Sequence, residues 1–145
     1  MRTLLCSIVF SMIATSAFSQ VVEGVDPDSV GAIEVQLRDH TSEACWVNLR
    51  EAREYAEERL ASAGYDVVQD NHDYQFRVVV HGDREPVFFG RGNCWGAIRI
   101  VLGIGLLNDG LVGTFLVADY TLTVQGAEDL NDQVITAIDR LVDLL

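Results

Sequence analysis

The sequence predicts an α+β fold, a two-layer sandwich in which an antiparallel-rich sheet of four to five strands carries two helices on one face. Three observations lead there. Residues 32–38, 74–81 and much of 97–124 alternate apolar and polar side chains, the period-two pattern of half-buried strands. Residues 45–63 and 130–145 repeat apolar side chains at spacings of three and four, the stripe of a helix lying on a sheet. The order is therefore strand, helix, a run of strands, helix, which fits one sheet covered on one side.

Taken in chain order, Met1 to Ser19 has the make-up of an export signal. Arg2 supplies a positive start, the stretch from Leu4 to Ala14 is apolar, and Ala17-Phe18-Ser19 offers the small side chains that a signal peptidase reads. Cleavage is expected before Gln20. The apolar stretch is too short to span a bilayer, which favours a cleaved signal over an anchor. Cys6 lies inside that stretch and away from a lipidation position. Residues 20–30, with Pro27 between two aspartates, are expected as a flexible leader, and residues 31–145 as a single α+β domain.

Within the domain, Ile33, Val35 and Leu37 face one side of the first strand and Glu34, Gln36 and Arg38 the other. Thr41 or Ser42 is expected to cap the first helix, with Glu43 in its first turn and Cys45, Leu49, Ala52, Ala56, Leu60 and Ala63 along its buried stripe. Gly64 can end it in a left-handed cap. A strand is expected from Tyr65 to Val68, a second from Tyr74 to His81, and a short third over Val87–Phe89, separated by the polar turns 69–73, 82–86 and 90–93. Asn108-Asp109-Gly110 marks a tight hairpin between strands that hold Ile98, Ile100 and Leu102 on one side and Leu116 to Val124 on the other. Gly126 leads into the last helix, with Glu128 and Asp129 in the first turn and Leu130, Val134, Ile138, Leu141 and Leu145 on the stripe.

The chain has 22 acidic residues against 10 basic ones, all arginine, for a net charge of −12; without residues 1–19 it loses Arg2 and reaches −13. Such a surface repels nucleic acid and anionic headgroups, so a protein partner, basic if there is one, is the charge-compatible expectation. No membrane span is expected once the signal is removed. The glycine-rich apolar stretch from Trp95 to Ala118 is broken by Arg99, Asn108 and Asp109, and its alternation argues for a hairpin.

Removal of Cys6 leaves Cys45 and Cys94. An even count in an exported chain predicts a disulfide, worth about 4 kcal/mol from the loop it closes. Each cysteine precedes a tryptophan, so rings are expected to shield the bond. Two cysteines without a C-x-x-C spacing make a poor zinc set, and neither has the neighbouring histidine that a thiol nucleophile needs.

His40, His72 and His81 each lie near an aspartate, but their spacing matches no known acid–base or metal pattern. Asp70-Asn71-His72-Asp73 lacks the alternation and the glycine of a calcium loop. Gly90-x-Gly92 and Gly103-x-Gly105 do not lead into helices, as a phosphate cradle would. No catalytic residue, cofactor or metal is assigned from the sequence.

One segment stands out from this polar background. Arg84, Phe88, Phe89, Arg91 and Trp95 crowd into a turn-rich stretch, and arginine with aromatic rings is the composition of contact surfaces. The alternative is that these rings cap the sheet edge and cover the disulfide. The helix end Leu60-Ala-Ser-Ala-Gly-Tyr65 followed by Asp73-Tyr-Gln-Phe-Arg-Val78 resembles, in element order, small α/β modules of bacterial envelope assembly proteins. That likeness carries no site. The functional expectation is an exported, disulfide-stabilised, non-enzymatic binding or accessory protein of the periplasm, envelope or medium. The alternatives are an inhibitor or immunity protein that neutralises a basic partner and, ranked below it, a secreted hydrolase.

Overall fold

In the computed structural model, which describes residues 20–21, 25–108 and 111–145, the chain runs β1 (Gln20–Val21), β2 (Ile33–Thr41), α1 (Leu49–Ser62), β3 (Tyr74–Arg84), β4 (Cys94–Asn108), β5 (Leu111–Ala127) and α2 (Asn131–Val142). The sheet order is β1-β5-β4-β3-β2. Four long strands make up its body, and the two-residue β1 lies on the edge of β5. The proposed signal 1–19 and the hairpin residues Asp109 and Gly110 fall outside the described residues.

β3, β4 and β5 form an antiparallel meander, whereas β2 runs parallel to β3. A parallel neighbour cannot be reached by a tight turn, and α1 supplies the crossover. The period-two alternation sets the layers. Ile33, Val35, Phe76, Val78, Val80, Ile98, Ile100 and Leu102 are buried on one face, and Ala52, Ala56 and Leu60 of α1 join Val134, Ala137, Ile138 and Leu141 of α2 in the same core. The result is the two-layer α+β sandwich that the pattern implies.

Polar side chains lock the two helices together. Asp139 of α2 accepts hydrogen bonds from Tyr55 Oη (2.7 Å) and Arg59 Nε (2.7 Å), and Arg59 Nη2 reaches Asp143 at 2.9 Å. Partial burial opposes the charge on Asp139, but the hydrogen bonds from Tyr55 and Arg59 outweigh it and hold the carboxyl below the usual carboxylate range.

Several boundaries differ from the sequence-based expectation, each for a tertiary reason. The first helix starts at Leu49, not near Thr41, because β2 continues to Thr41 beside Gly82. Glu43 and Ala44 then adopt positive φ (49° and 55°), and this turn delivers Cys45 and Trp46 into the core. α2 likewise starts at Asn131, since β5 pairs as far as Ala127, opposite Cys94. Tyr65–Val68 contributes a single bridge, Ile33 to Val67, and residues 87–89 form a loop instead of a strand. The expected leader is docked where it is described. Pro27–Ser29 form a 3-10 turn, Val30 is buried, and Tyr65 Oη donates to the Val25 carbonyl at 2.7 Å.

Candidate functional site

At the end of the sheet where β3 passes into β4, one corner gathers the disulfide, a buried arginine and the aromatic loop. Cys45 and Cys94 are bonded, with Cα atoms 5.8 Å apart and both residues fully buried. The bond ties the loop before α1 to the first residue of β4. That loop is further joined to the start of α2, because Leu130 N donates to the Cys45 carbonyl (2.7 Å) and Val47 N to Asn131 Oδ1 (3.1 Å).

Arg84 extends the core-facing alternation of Val78, Val80 and Gly82 and is only 7% exposed. Its guanidinium donates to four carbonyls: Gly92 (2.6 Å), Glu128 (3.0 Å), Glu43 (3.2 Å) and Ala44 (3.3 Å). These acceptors come from three separate segments, so Arg84 is a structural clamp inside the corner and is held away from any contact surface. Arg91 remains exposed while one nitrogen donates to the Ala44 carbonyl at 3.1 Å.

The 85–93 loop is fastened at its base. Glu85 N donates to the Asn93 carbonyl at 2.8 Å, and Gly92 packs so closely on the Glu85 carbonyl that a Cβ there would lie 1.9 Å from the oxygen. Its tip is bare: Phe88 is 97% and Phe89 92% exposed, with ring centroids 6.0 Å apart. The two rings therefore do not cap the sheet edge, and the burial of the disulfide comes from other residues. Trp95 does not cover the bond either, because Cys94 faces the core and the next residue must face outward; Trp46 is the buried tryptophan of this corner.

The uncovered face of the sheet holds the histidines in two places. The parallel register sets His40 beside His81, and their exposed rings stack at 4.7 Å. Their neighbouring aspartates are engaged elsewhere, Asp39 accepting from Thr41 N (2.8 Å) and Asp83 from Ser42 Oγ (2.7 Å). His72 lies at the opposite end of the same strand pair, 3.2 Å from Glu34. Between these ends Arg99 pairs with Asp119 on the adjacent strand, with a closest approach of 2.6 Å. The three histidines thus do not converge. Among the described residues no group of three His, Cys, Asp or Glu side chains is placed to hold a metal ion, and no helix is long and apolar enough to cross a membrane.

Fold and corner together define a disulfide-bonded two-layer α+β module with an exposed aromatic loop. No family model matches the chain, and no curated protein matches it. Solved structures do. A PelC dodecamer from Paraburkholderia phytofirmans aligns over 90% of this chain and 98% of its own, with 12% identity and a TM-score of 0.52. A point variant of the same dodecamer aligns over 88% and 95%, with 14% identity and a TM-score of 0.50. A minor lipoprotein from Acinetobacter baumannii covers 77% of this chain and 86% of its own at 14% identity and a TM-score of 0.33. At these identities the PelC likeness defines a shared fold.

Proposed function

We propose that this chain is an exported, non-enzymatic binding module that takes hold of a protein partner through the aromatic tip of the 85–93 loop. The observation that carries the proposal is the contrast within that loop. Its base is fixed by Arg84, Gly92 and the disulfide, while Phe88 and Phe89 stand almost fully in water. Adjacent exposed rings on an anchored loop offer large apolar area with little ordering entropy to lose on contact, which suits an interface anchor. Arg91 and the outward-facing Trp95 extend the same surface.

Export is supported by the signal-like residues 1–19 together with the disulfide, a bond that persists in oxidising compartments. Action by association is supported by a solved protein of the same fold, PelC, being a dodecamer. The net charge of −12 favours a basic partner, and the inhibitor or immunity reading is the form of this function in which that charge directs the encounter.

The test uses residues 20–145 in the oxidised form, immobilised and exposed to the envelope fraction of the native host. A partner retained by the native chain and lost by the Phe88→Ala/Phe89→Ala protein, with the fold of the variant intact, is the expected result. Equal retention by both removes the loop from the interface. Weakening of capture with added salt marks the charge-directed form, and salt-independent capture argues against it. Peptide mapping of native material is expected to start at Gln20.

A further inference from the structure

We infer that the distal part of the β4–β5 hairpin is a self-association arm, in which the outer edge of β4 pairs with the same hairpin of a second copy of this chain. The surface is separate from the aromatic loop and does not depend on it. It follows from where strand pairing stops. Among the described residues, β3 accompanies β4 as far as the pair Gln75–Gly103, and β1 meets β5 at Ala118 and Asp119. β4 and β5 continue together beyond both, from Ile104–Phe115 to Asn108–Leu111.

The helical cover ends at the same level. Along the core-facing row of β4, Ile98, Ile100 and Leu102 are fully buried, whereas the next residue of that row, Ile104, is only partly buried. Among the described residues, no strand pairs with Ile104–Asn108 on the side away from β5. A two-stranded ribbon on its own is marginal in water, and its edge presents free N–H and C=O groups that template another strand. Natural edges are blunted by charge or proline. From Leu102 to Ala118 the sequence has no proline, and Asp109 is its single ionisable residue.

Three occupants could cover such an arm, and its length and charge favour one. The paired overhang is about 17 Å long at ~3.4 Å per residue, short of the ~9–11 residues that a membrane-spanning strand requires, which counts against a bilayer. A partner drawn by the −12 charge would find almost none of that charge on the arm. A second copy meets both conditions: its own edge is open at the same positions, main-chain pairing needs no side-chain code, and this nearly neutral segment is where two strongly acidic chains can approach without repulsion.

Sedimentation velocity on oxidised residues 20–145 tests the inference. The native chain is expected to associate with rising concentration, and Gly105→Lys is expected to be monomeric. Nothing lies within 4 Å of where a Cβ at Gly105 would stand, so the fold accommodates the side chain while the charge blocks the edge. Leu107→Lys serves as a second block, and unchanged far-UV dichroism and thermal midpoint establish that either variant is folded. Phe88→Ala/Phe89→Ala should associate like the native chain, which separates this arm from the aromatic loop. A native chain that stays monomeric at every concentration overturns the inference, as does association that survives both lysine variants. Flotation with phosphatidylcholine vesicles in place of self-association would assign the arm to a lipid surface and equally overturn it.

Discussion

Arg84 and Cys94 face each other across the antiparallel pair β3–β4, so a buried guanidinium and a disulfide close the same corner from neighbouring strands. Cys94 reaches covalently to the loop before α1, and Arg84 reaches the same loop through the carbonyls of Glu43 and Ala44. Arg84 also holds Glu128, just ahead of α2, and Gly92, at the base of the aromatic loop. One corner therefore fixes the approach to both helices and the footing of the proposed binding loop.

Replacing Arg84 by leucine should destabilise the protein by about 3 kcal/mol, because it removes a charge-assisted donor from four carbonyls, of which Ala44 alone keeps a second donor, Arg91. Arg84→Lys should recover only part, since an ammonium lacks the planar fork that spans acceptors on three segments. Urea unfolding of the oxidised proteins measures both. Wild-type stability in Arg84→Leu would mean that the guanidinium is not the clamp described.

The disulfide closes a sequence separation of 49 residues, for which chain entropy gives about 4 kcal/mol. Cys45→Ser/Cys94→Ser should therefore lower the urea midpoint strongly, and reductant should bring the native chain to the same midpoint. A midpoint unmoved by reductant, with both thiols open to alkylation, would show that the link contributes nothing in solution.

The layers of this fold were legible because they are local. The alternation of Ile33, Val35 and Leu37, and that of Tyr74 to Val80, needs only strand pitch, and the α2 stripe needs only helical pitch. The disulfide was legible by arithmetic, since two cysteines follow the proposed signal. What eluded the sequence was set by register across the chain. His40 and His81 become neighbours only because β2 and β3 pair in parallel. Arg84 read as part of a turn, yet the period of Val78, Val80 and Gly82 carries straight to it and would have placed it inside. The start of α1 was displaced because Ser42 N pairs with the Gly82 carbonyl (2.8 Å), extending β2 through residues that could equally have capped a helix.

Gly82 and Gly96 also face each other, and their bare backbones let β3 and β4 approach under Leu130. A Cβ on Gly96 would stand 2.1 Å from the His81 carbonyl oxygen and 2.8 Å from Gly82 Cα, both backbone atoms that cannot swing aside. Gly96→Ala should cost about 1–3 kcal/mol by forcing the strands apart. The comparison is Gly105→Ala, where the space is open and little change is expected. Equal urea midpoints for the two alanine variants would contradict the close approach at Gly96.

Asp139 gives the α1–α2 contact a pH dependence whose sign is fixed. Its native pKa is depressed by the hydrogen bonds from Tyr55 and Arg59 that prevail over burial. A carboxylate of this kind adds stability above its unfolded pKa of about 3.9, and that addition is lost as pH falls through the lower native value. Asp139→Asn keeps an acceptor for Tyr55 but cannot ionise. It should be less stable than the native chain at neutral pH, with the gap closing progressively below about pH 4. The side chain is partly open to water, so the gap at neutral pH should be modest and should shrink further with added salt. Thermal midpoints of the two proteins, taken from pH 7 into the acid range, decide the matter: curves that stay parallel would mean that Asp139 holds the helices by shape alone.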